Sequence, residues 1–534
     1  MTDSADALVI GAGPNGLVAA NLLADAGWDV LVLEAEDEPG GAVRSGEYVA
    51  EGFVNDRFSS FYPLGAGSPV LRDLKLADHG LRWSHAPTAL AHPLPDGRTV
   101  VLSRDADITA ASLADFDRRD AAAWHELVAQ WRELGPTLVQ TLMAPFPPVR
   151  NGARLARKLG VHGALDFARF GLLSARSYGG ERFHGDGGPL LIAGNAMHTD
   201  LGPEEAGSAV FGWLLAMLGQ DVGFPVPVGG AGELTAALVR RLESRGGRIR
   251  CGARVDRVLV RDGRAVGVRA SGSTVQARRA VLADVTAPSL YLHLLGSDLL
   301  PPRLRGDLRK FSWDDATVKV DWALSGPIPW RNREVVGAGT VHVGGDLDDL
   351  SGFAHELAVG RVPTEPFLLL GQMSTADPTR SPAGTESAWA YTHVPARPGG
   401  VAGWNDPDLR KRVLEGVERR MEEYAPGFRD LVMGRQISFP PDLEAMDANL
   451  TDGAINAGTS GLHQQLVLRP LPGLGRPETH IRGLYLASAS AHPGGGVHGG
   501  PGANAARAAL RARTTGRVFG AAARAMAGHS GGPR

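Results

Sequence analysis

The sequence predicts an α/β fold in which a dinucleotide-binding sheet is joined to a second, antiparallel sheet and a helical insertion. Three observations carry this. Residues 7–34 read as strand, glycine turn, helix, strand and acid. A second glycine-rich loop near the far end, residues 491–504, also leads into a helix. Between them lie two groups of short strands and, over about residues 105–220, a stretch of helical character.

Residues 7–10 are a short apolar run of strand type. Gly11-Ala12-Gly13-Pro14-Asn15-Gly16 supplies G-x-G-x-x-G, with Pro14 suited to a first helical turn. Leu17, Ala20 and Ala24 recur at helical spacing, Gly27 can stop the helix, and residues 29–33 form a second strand ending on Glu34. Gly11 allows the tight turn, Gly13 lets backbone approach a diphosphate, and Gly16 lets helix and strand pack closely. The helix start offers free N–H groups and the positive end of a dipole. Glu34 is placed to accept ribose hydroxyls and would repel a 2′-phosphate. By itself the fingerprint does not separate FAD from NAD.

With 534 residues the chain is too long for one ordinary core, and two or three lobes are expected. Hydrophobic content of 43% with 21% charged residues suits a globular protein. A formal charge of −3 gives no reason to expect nucleic acid as a partner. One cysteine, Cys251, excludes internal disulfides and C-x-x-C redox chemistry. The start MTDSADALVI has no basic n-region, and no run of about 18 apolar residues occurs, so the expectation is a cytoplasmic protein without a membrane span. No metal site is expected.

After Glu34, Gly40-Gly41 followed by Arg44 makes a close-approach loop with a phosphate-capable side chain; a surface turn with a solvated arginine is the alternative. Residues 55–64 are aromatic and mixed, and line a pocket or belong to the core. Residues 122–134 and 152–175 look helical, separated by Pro145, Pro147 and Pro148. Residues 150–182 carry seven Arg or Lys against Asp166 and Glu181, with leucines and phenylalanines interleaved. That pattern suits an anionic membrane surface, and equally a solvated basic face on a helical subdomain. His198 has no evident acid–base partner and reads as structural.

A new unit begins at Pro227-Val228-Gly229-Gly230, with a helix through Leu242. Residues 248–251, 253–259, 265–270, 274–276 and 280–282 follow as short strands, with Asp262-Gly263 as a hairpin turn. Residues 317–324, 334–343 and 367–373 suggest the antiparallel sheet, and residues 408–424 a long helix. Residues 483–490 form a last strand, residues 503–513 a last helix, and the tail GHSGGPR is expected to fray.

Three blocks then carry a family likeness. GAGPNGLVAANLLADAGWDVLVLEAEDEPGGAVRS, PVGGAGELTAALVRRLESRGGRIRCGARVDRV and GLYLASASAHPGGGVHGGPGANAA resemble, in order, blocks of the phytoene desaturase-like FAD oxidoreductases. The nearer likeness is to the phytoene dehydrogenase-related, or pyridine nucleotide-disulfide oxidoreductase domain-containing, subgroup. The latter name does not suit a chain without paired cysteines, nor one lacking a second G-x-G-x-x-G after a strand in its middle. The wider group shares its fold with flavin amine oxidases, retinol saturases and Rab GDP-dissociation inhibitors.

The resemblance implies FAD as cofactor in a Rossmann-like FAD-binding domain of the amine oxidase and phytoene desaturase type. Residues 1–75, 225–295 and 476–534 would form that domain. Residues 76–224, with the helical subdomain, and 296–475, with the sheet, would form the substrate domain. Gly11, Ala12, Gly13, Pro14, Asn15 and Gly16 would hold the diphosphate, and Glu34 with Ala35 the adenosine ribose. Gly40, Gly41 and Arg44 would approach the phosphates and flavin, and backbone at Val255 would meet adenine. Ser488, Gly495, Gly496, Val497 and His498 would lie near the ribityl chain and the flavin pyrimidine edge, where N–H groups favour hydride acceptance.

Lys319 resembles the strand lysine that holds a water near flavin N5 in amine oxidases; an edge-strand lysine in solvent is the alternative. His498 is the second catalytic candidate. The expected activity is removal of two hydrogens from a hydrophobic, polyene-like substrate, or isomerisation of its double bonds. An amine or amino-acid oxidase using oxygen is one rival. A non-redox escort protein of the GDP-dissociation-inhibitor type is another, which the intact fingerprint with Glu34 argues against.

Overall fold

Two seven-stranded sheets organise the computed structural model, which describes residues 3–399 and 403–512. The first runs in the order Val255–Arg261, Arg264–Ala270, Ser273–Ala283, Asp3–Ile10, Val30–Leu33, Arg248–Arg250, with Leu484–Leu486 also paired to Ser273–Ala283. Asp3–Ile10 lies parallel to both neighbours and is covered on both faces. Val9 and Val32 point into a core with Leu17, Leu23, Leu234 and Leu238 of the helices Pro14–Asp25 and Gly232–Ser244. Leu8 and Leu31 point the other way, into a core with Val281, Leu290 and Leu484. Burial on both sides explains the near-continuous apolar runs in these strands.

The expected strands at 274–276 and 280–282 are one element, Ser273–Ala283. Its first half pairs antiparallel with Arg264–Ala270 and its last three residues pair parallel with Leu484–Leu486, so partners change while the strand continues. Asp262 and Gly263 both have positive φ, as a tight hairpin turn requires.

The second sheet runs Val432–Ser438, Ala316–Leu324, Glu386–Val394, Leu368–Gln372, Ala338–Val343, Thr88–Pro93, Thr99–Leu102. It is mixed and not purely antiparallel, because Ala338–Val343 runs parallel to Thr88–Pro93. The strand expected from Glu334 begins only at Ala338, since Arg333–Val335 is a 3₁₀ turn. In Glu386–Val394 all residues but Tyr391 are buried, with Ser387, Trp389 and His393 on the face turned away from the helix Pro407–Tyr424. The opposite face packs Trp322, Val341 and Leu370 against Val417 and Met421 of the helix Pro407–Tyr424.

Against Thr88–Pro93 and Thr99–Leu102 pack the helices Asp120–Leu142, Gly187–Ala196 and Ser208–Asp221. The helix expected over 152–175 is Val149–Phe170, interrupted at Gly160 (φ +67°), and the chain starts again as Ala175–Arg182 with Ser174 as its N-cap. The strand expected over 483–490 shortens to Leu484–Leu486. Residues 500–512 are helical, so the last helix starts three residues before the expected Ala503; Arg513 and the GHSGGPR tail lie outside the described residues.

Candidate cofactor and active site

The glycine turn has no slack. Gly11 has φ +92°, and a Cβ at Gly16 would lie 2.2 Å from the Gly11 carbonyl oxygen. The helix from Pro14 has no side-chain cap at Gly13, so apart from the Gly16 N–H, which Asp284 takes, its start is left for an anion. Asn15 Oδ1 is buried there without a hydrogen-bond partner. Gly40 donates its N–H to the Ala12 carbonyl at 3.0 Å, and a Cβ at Gly41 would come within 3.1 Å of Gly13 Cα, so the second glycine pair closes over the first.

Glu34 is fixed by two backbone donors, Ala12 N–H at 2.6 Å and Glu36 N–H at 3.0 Å. Its main-chain carbonyl takes the Ala253 N–H at 2.7 Å. Residues 253–255 therefore pass beside Glu34 and Ala35, and Val255 opens its strand at that point.

The C-terminal loop reaches the same place from the other end of the chain. A Cβ at Gly502 would lie 2.0 Å from the Asn15 carbonyl oxygen, and one at Gly499 2.8 Å from Val18. The Val497 carbonyl sits 2.9 Å from where a Cβ at Gly65 would be, and Gly496 contacts Leu64 in the same sense. Ser488 is buried at the end of the Leu484–Leu486 strand, which the Ala487 N–H extends by bonding the Ala283 carbonyl. Gly495 packs on Asn456.

His498 spends both ring nitrogens inside its own loop. Nδ1 accepts the Gly500 N–H at 3.0 Å, so Nε2 carries the proton and meets the Gly495 carbonyl at 3.1 Å. Burial pushes its pKa down to about 4. The ring thus holds the glycine loop in shape. Arg44 is also committed: Nε donates to the Gly41 carbonyl at 2.9 Å and Nη2 to the Met446 carbonyl at 2.8 Å. It ties the loop to the segment around Met446.

Sequence reading missed Asp284, Asp447 and Asn449. Asp284 Oδ2 accepts the Gly16 N–H at 2.7 Å, and Asn449 Nδ2 donates to the Asp284 carbonyl at 3.2 Å. Asp447 Oδ2 lies 3.5 Å from where a Cβ at Gly41 would be. The only signal was an Asp directly after the apolar end of a parallel strand, where ligands of open α/β sheets bind.

Lys319 is 3% exposed and lies on an inner strand, between Val432–Ser438 and Glu386–Val394, so the solvent-edge alternative is excluded. Its Nζ donates to the Asp56 carbonyl at 2.9 Å and pairs with the Asp321 carboxylate. Burial raises Asp321 to about 6 in spite of that pairing. Arg380, fully buried, forks onto both Asp56 oxygens at 3.1 and 3.0 Å and reaches Asp377 at 3.2 Å. Asp56 and Asp377 in turn accept N–H groups of Ala231 and Gly229, which joins the second sheet to the cofactor domain. On the site side, Lys319 Nζ stands 5.7 Å from the Trp389 ring centroid, and Trp389, Tyr391 and His393 follow along one strand face with successive ring contacts.

His198 is not alone: its Nε2 lies 2.8 Å from Nε2 of His342, which packs edge-on to His92. One nitrogen must donate and the other accept, and burial lowers the pKa of both rings, so the pair is neutral. That agrees with the structural reading of His198.

The family model described as flavin containing amine oxidoreductase matches residues 15–354, more than half of the chain. The chain belongs to that family. As a flavin containing amine oxidoreductase it takes FAD, and the open helix start, the unpartnered Asn15 Oδ1 and the glycine cradle fit that group. It is 28% identical over 561 aligned positions to pyridine nucleotide-disulfide oxidoreductase domain-containing protein 2 of Mus musculus, covering 95% of this chain and 93% of that one. It is 26% identical to the neurosporene-forming phytoene desaturase of Cereibacter sphaeroides, over 93% of each chain. Among solved structures, an oxidoreductase from Methanosarcina mazei shares the fold with a TM-score of 0.62 at 18% identity, covering 95% of this chain and 99% of that one. No helix among the described residues is long and apolar enough to cross a membrane.

Proposed function

We propose that this flavin oxidoreductase removes two hydrogens from a carbon–carbon unit of a hydrophobic, polyene-like substrate; double-bond isomerisation, which leaves substrate mass and flavin oxidation state unchanged overall, is the alternative outcome. When bound, FAD supplies the two-electron acceptor. The observation that carries the reading is the face Lys319–Trp389–Tyr391–His393, buried except at the half-buried Tyr391, an aromatic wall holding one charged side chain already paired with Asp321. Such a wall excludes water and packs an extended apolar chain. Likeness to phytoene desaturases supports the same class. Anaerobic incubation of the holoprotein with polyenes tests it. Bleaching of the flavin band with a product two hydrogens lighter is expected, whereas bleaching by primary amines alone, with hydrogen peroxide released in air, sinks the reading in favour of an amine oxidase.

Lys319 is the residue proposed to stand by the reacting atoms and move or hold a proton. Lys319→Met is expected to slow flavin reduction or reoxidation by about tenfold or more in rapid mixing, within the usual range for a positioned proton-transfer group. Unchanged rates in both half-reactions would remove Lys319 from the mechanism.

Substrate is proposed to arrive from an anionic membrane surface by way of Val149–Phe170. Only Leu155 of that helix is buried, Val161 and Leu165 are 84% and 66% exposed, and Arg150, Arg154 and Arg157 make no ion pair among the described residues. Flotation with vesicles of phosphatidylglycerol is expected to carry the protein up, with the floated fraction falling several-fold when those three arginines become glutamine. Equal flotation of the variant rules the surface out.

A further inference from the structure

Asp284 is a carboxyl in the cofactor cradle that neither the fingerprint nor the substrate reading uses. It follows the strand Ser273–Ala283, is 6% exposed, and accepts the Gly16 N–H through Oδ2. A Cβ at Gly13 would stand 2.8 Å from that same oxygen, so the carboxyl lies directly against the turn that meets the diphosphate. Two more acids face it: Glu34 from the end of Val30–Leu33 and Asp447 from the segment after the helix Pro440–Met446. The glycine turn brings no titratable side chain, Asn449 bonds the Asp284 carbonyl and not its carboxyl, and the cation of this corner, Arg44, lies on the side of Asp447, which burial raises. Burial first, then Asp447 and Glu34, raise Asp284 to about 8.

We propose that Asp284 sits protonated beneath bound FAD, as a neutral positioning residue, and that cofactor binding above neutral pH takes up a proton. A diphosphate adds negative charge to a corner that already holds two carboxylates and little cation. A third carboxylate there is disfavoured further, so its proton is held more tightly with FAD than without. The neutral acid still accepts the Gly16 N–H and gains an O–H donor that an ionised carboxylate lacks.

The sign follows from linkage. Below about pH 8 both free and loaded protein carry the proton and affinity is flat. Above it the free protein ionises and must be reprotonated on binding, so the dissociation constant rises with pH. The inference concerns FAD and is independent of the substrate.

The full-length protein, equilibrated with graded free FAD, is expected to show a dissociation constant constant from about pH 6.5 to 7.5 and about fivefold weaker at about pH 9 than at pH 8. Titration calorimetry at about pH 9, in buffers of different ionisation enthalpy, is expected to show most of one proton taken up per FAD. Asp284→Asn keeps the acceptor for Gly16 and is expected to bind with no such rise and no uptake. Asp447→Asn removes a neighbouring charge and is expected to move the rise to lower pH. Flat affinity without proton uptake in the unaltered protein overturns the proposal, as does an unchanged rise in Asp284→Asn. If Asp284→Asn fails to fold, the calorimetry and the Asp447→Asn shift decide.

Discussion

Gly502→Ala is expected to yield a chain that retains little flavin and melts far below the unaltered protein. The added methyl would meet the Asn15 carbonyl oxygen at 2.0 Å, and that oxygen belongs to backbone, so neither side can turn away. Overpacking costs about 1–3 kcal/mol, and a rigid backbone obstacle puts this site at the upper end of that range. The contact joins the last helical segment to the first turn of Pro14–Asp25, so the displacement opens the place where FAD is held. Gly416→Ala is the control. Its Cβ would touch nothing within 4 Å inside the helix Pro407–Tyr424, and it is expected to gain about 0.5–1 kcal/mol. Flavin absorbance per mole of protein and the melting temperature read both variants. A Gly502→Ala protein that melts normally and stays yellow would show that the two ends are not in contact.

The second large effect is expected from Arg380→Met. Removing the guanidinium leaves Asp56 and Asp377 buried without their shared counter-ion, a change that costs about 3–5 kcal/mol. By contrast, Arg169→Gln breaks a solvent-screened pair with Glu181 and is expected to leave the midpoint almost unmoved. Urea midpoints at unchanged m-value give the comparison. Similar midpoints for the two variants would mean that the buried network carries no such load.

How much of this was legible depended on whether a short window held the signal. The strand–turn–helix–strand unit ending on Glu34 was, because its pattern is local: Gly11 takes the positive φ of the turn and Gly16 clears the Gly11 carbonyl five residues before it. The likeness of three separated blocks placed the last glycine loop with the first. Asp284 was not legible: one acid after an apolar strand becomes a site residue only when the turn at Gly16, 268 positions earlier, folds onto it. Glu386–Val394 escaped for a related reason, since its tyrosine and histidine look solvent-facing until the helical insertion covers them. Arg44 and His498 were read by the charge or ring they carry, whereas folding commits both to nearby carbonyls and amides.

The seating of Gly502 on Asn15 also bears on biosynthesis. The half of the cradle that carries Asn15 stays unfinished until the chain has been made as far as Gly502. Contacts of such sequence separation form late and slowly. A chain that stops before Gly502 therefore has the fingerprint but lacks the backbone that closes on Asn15.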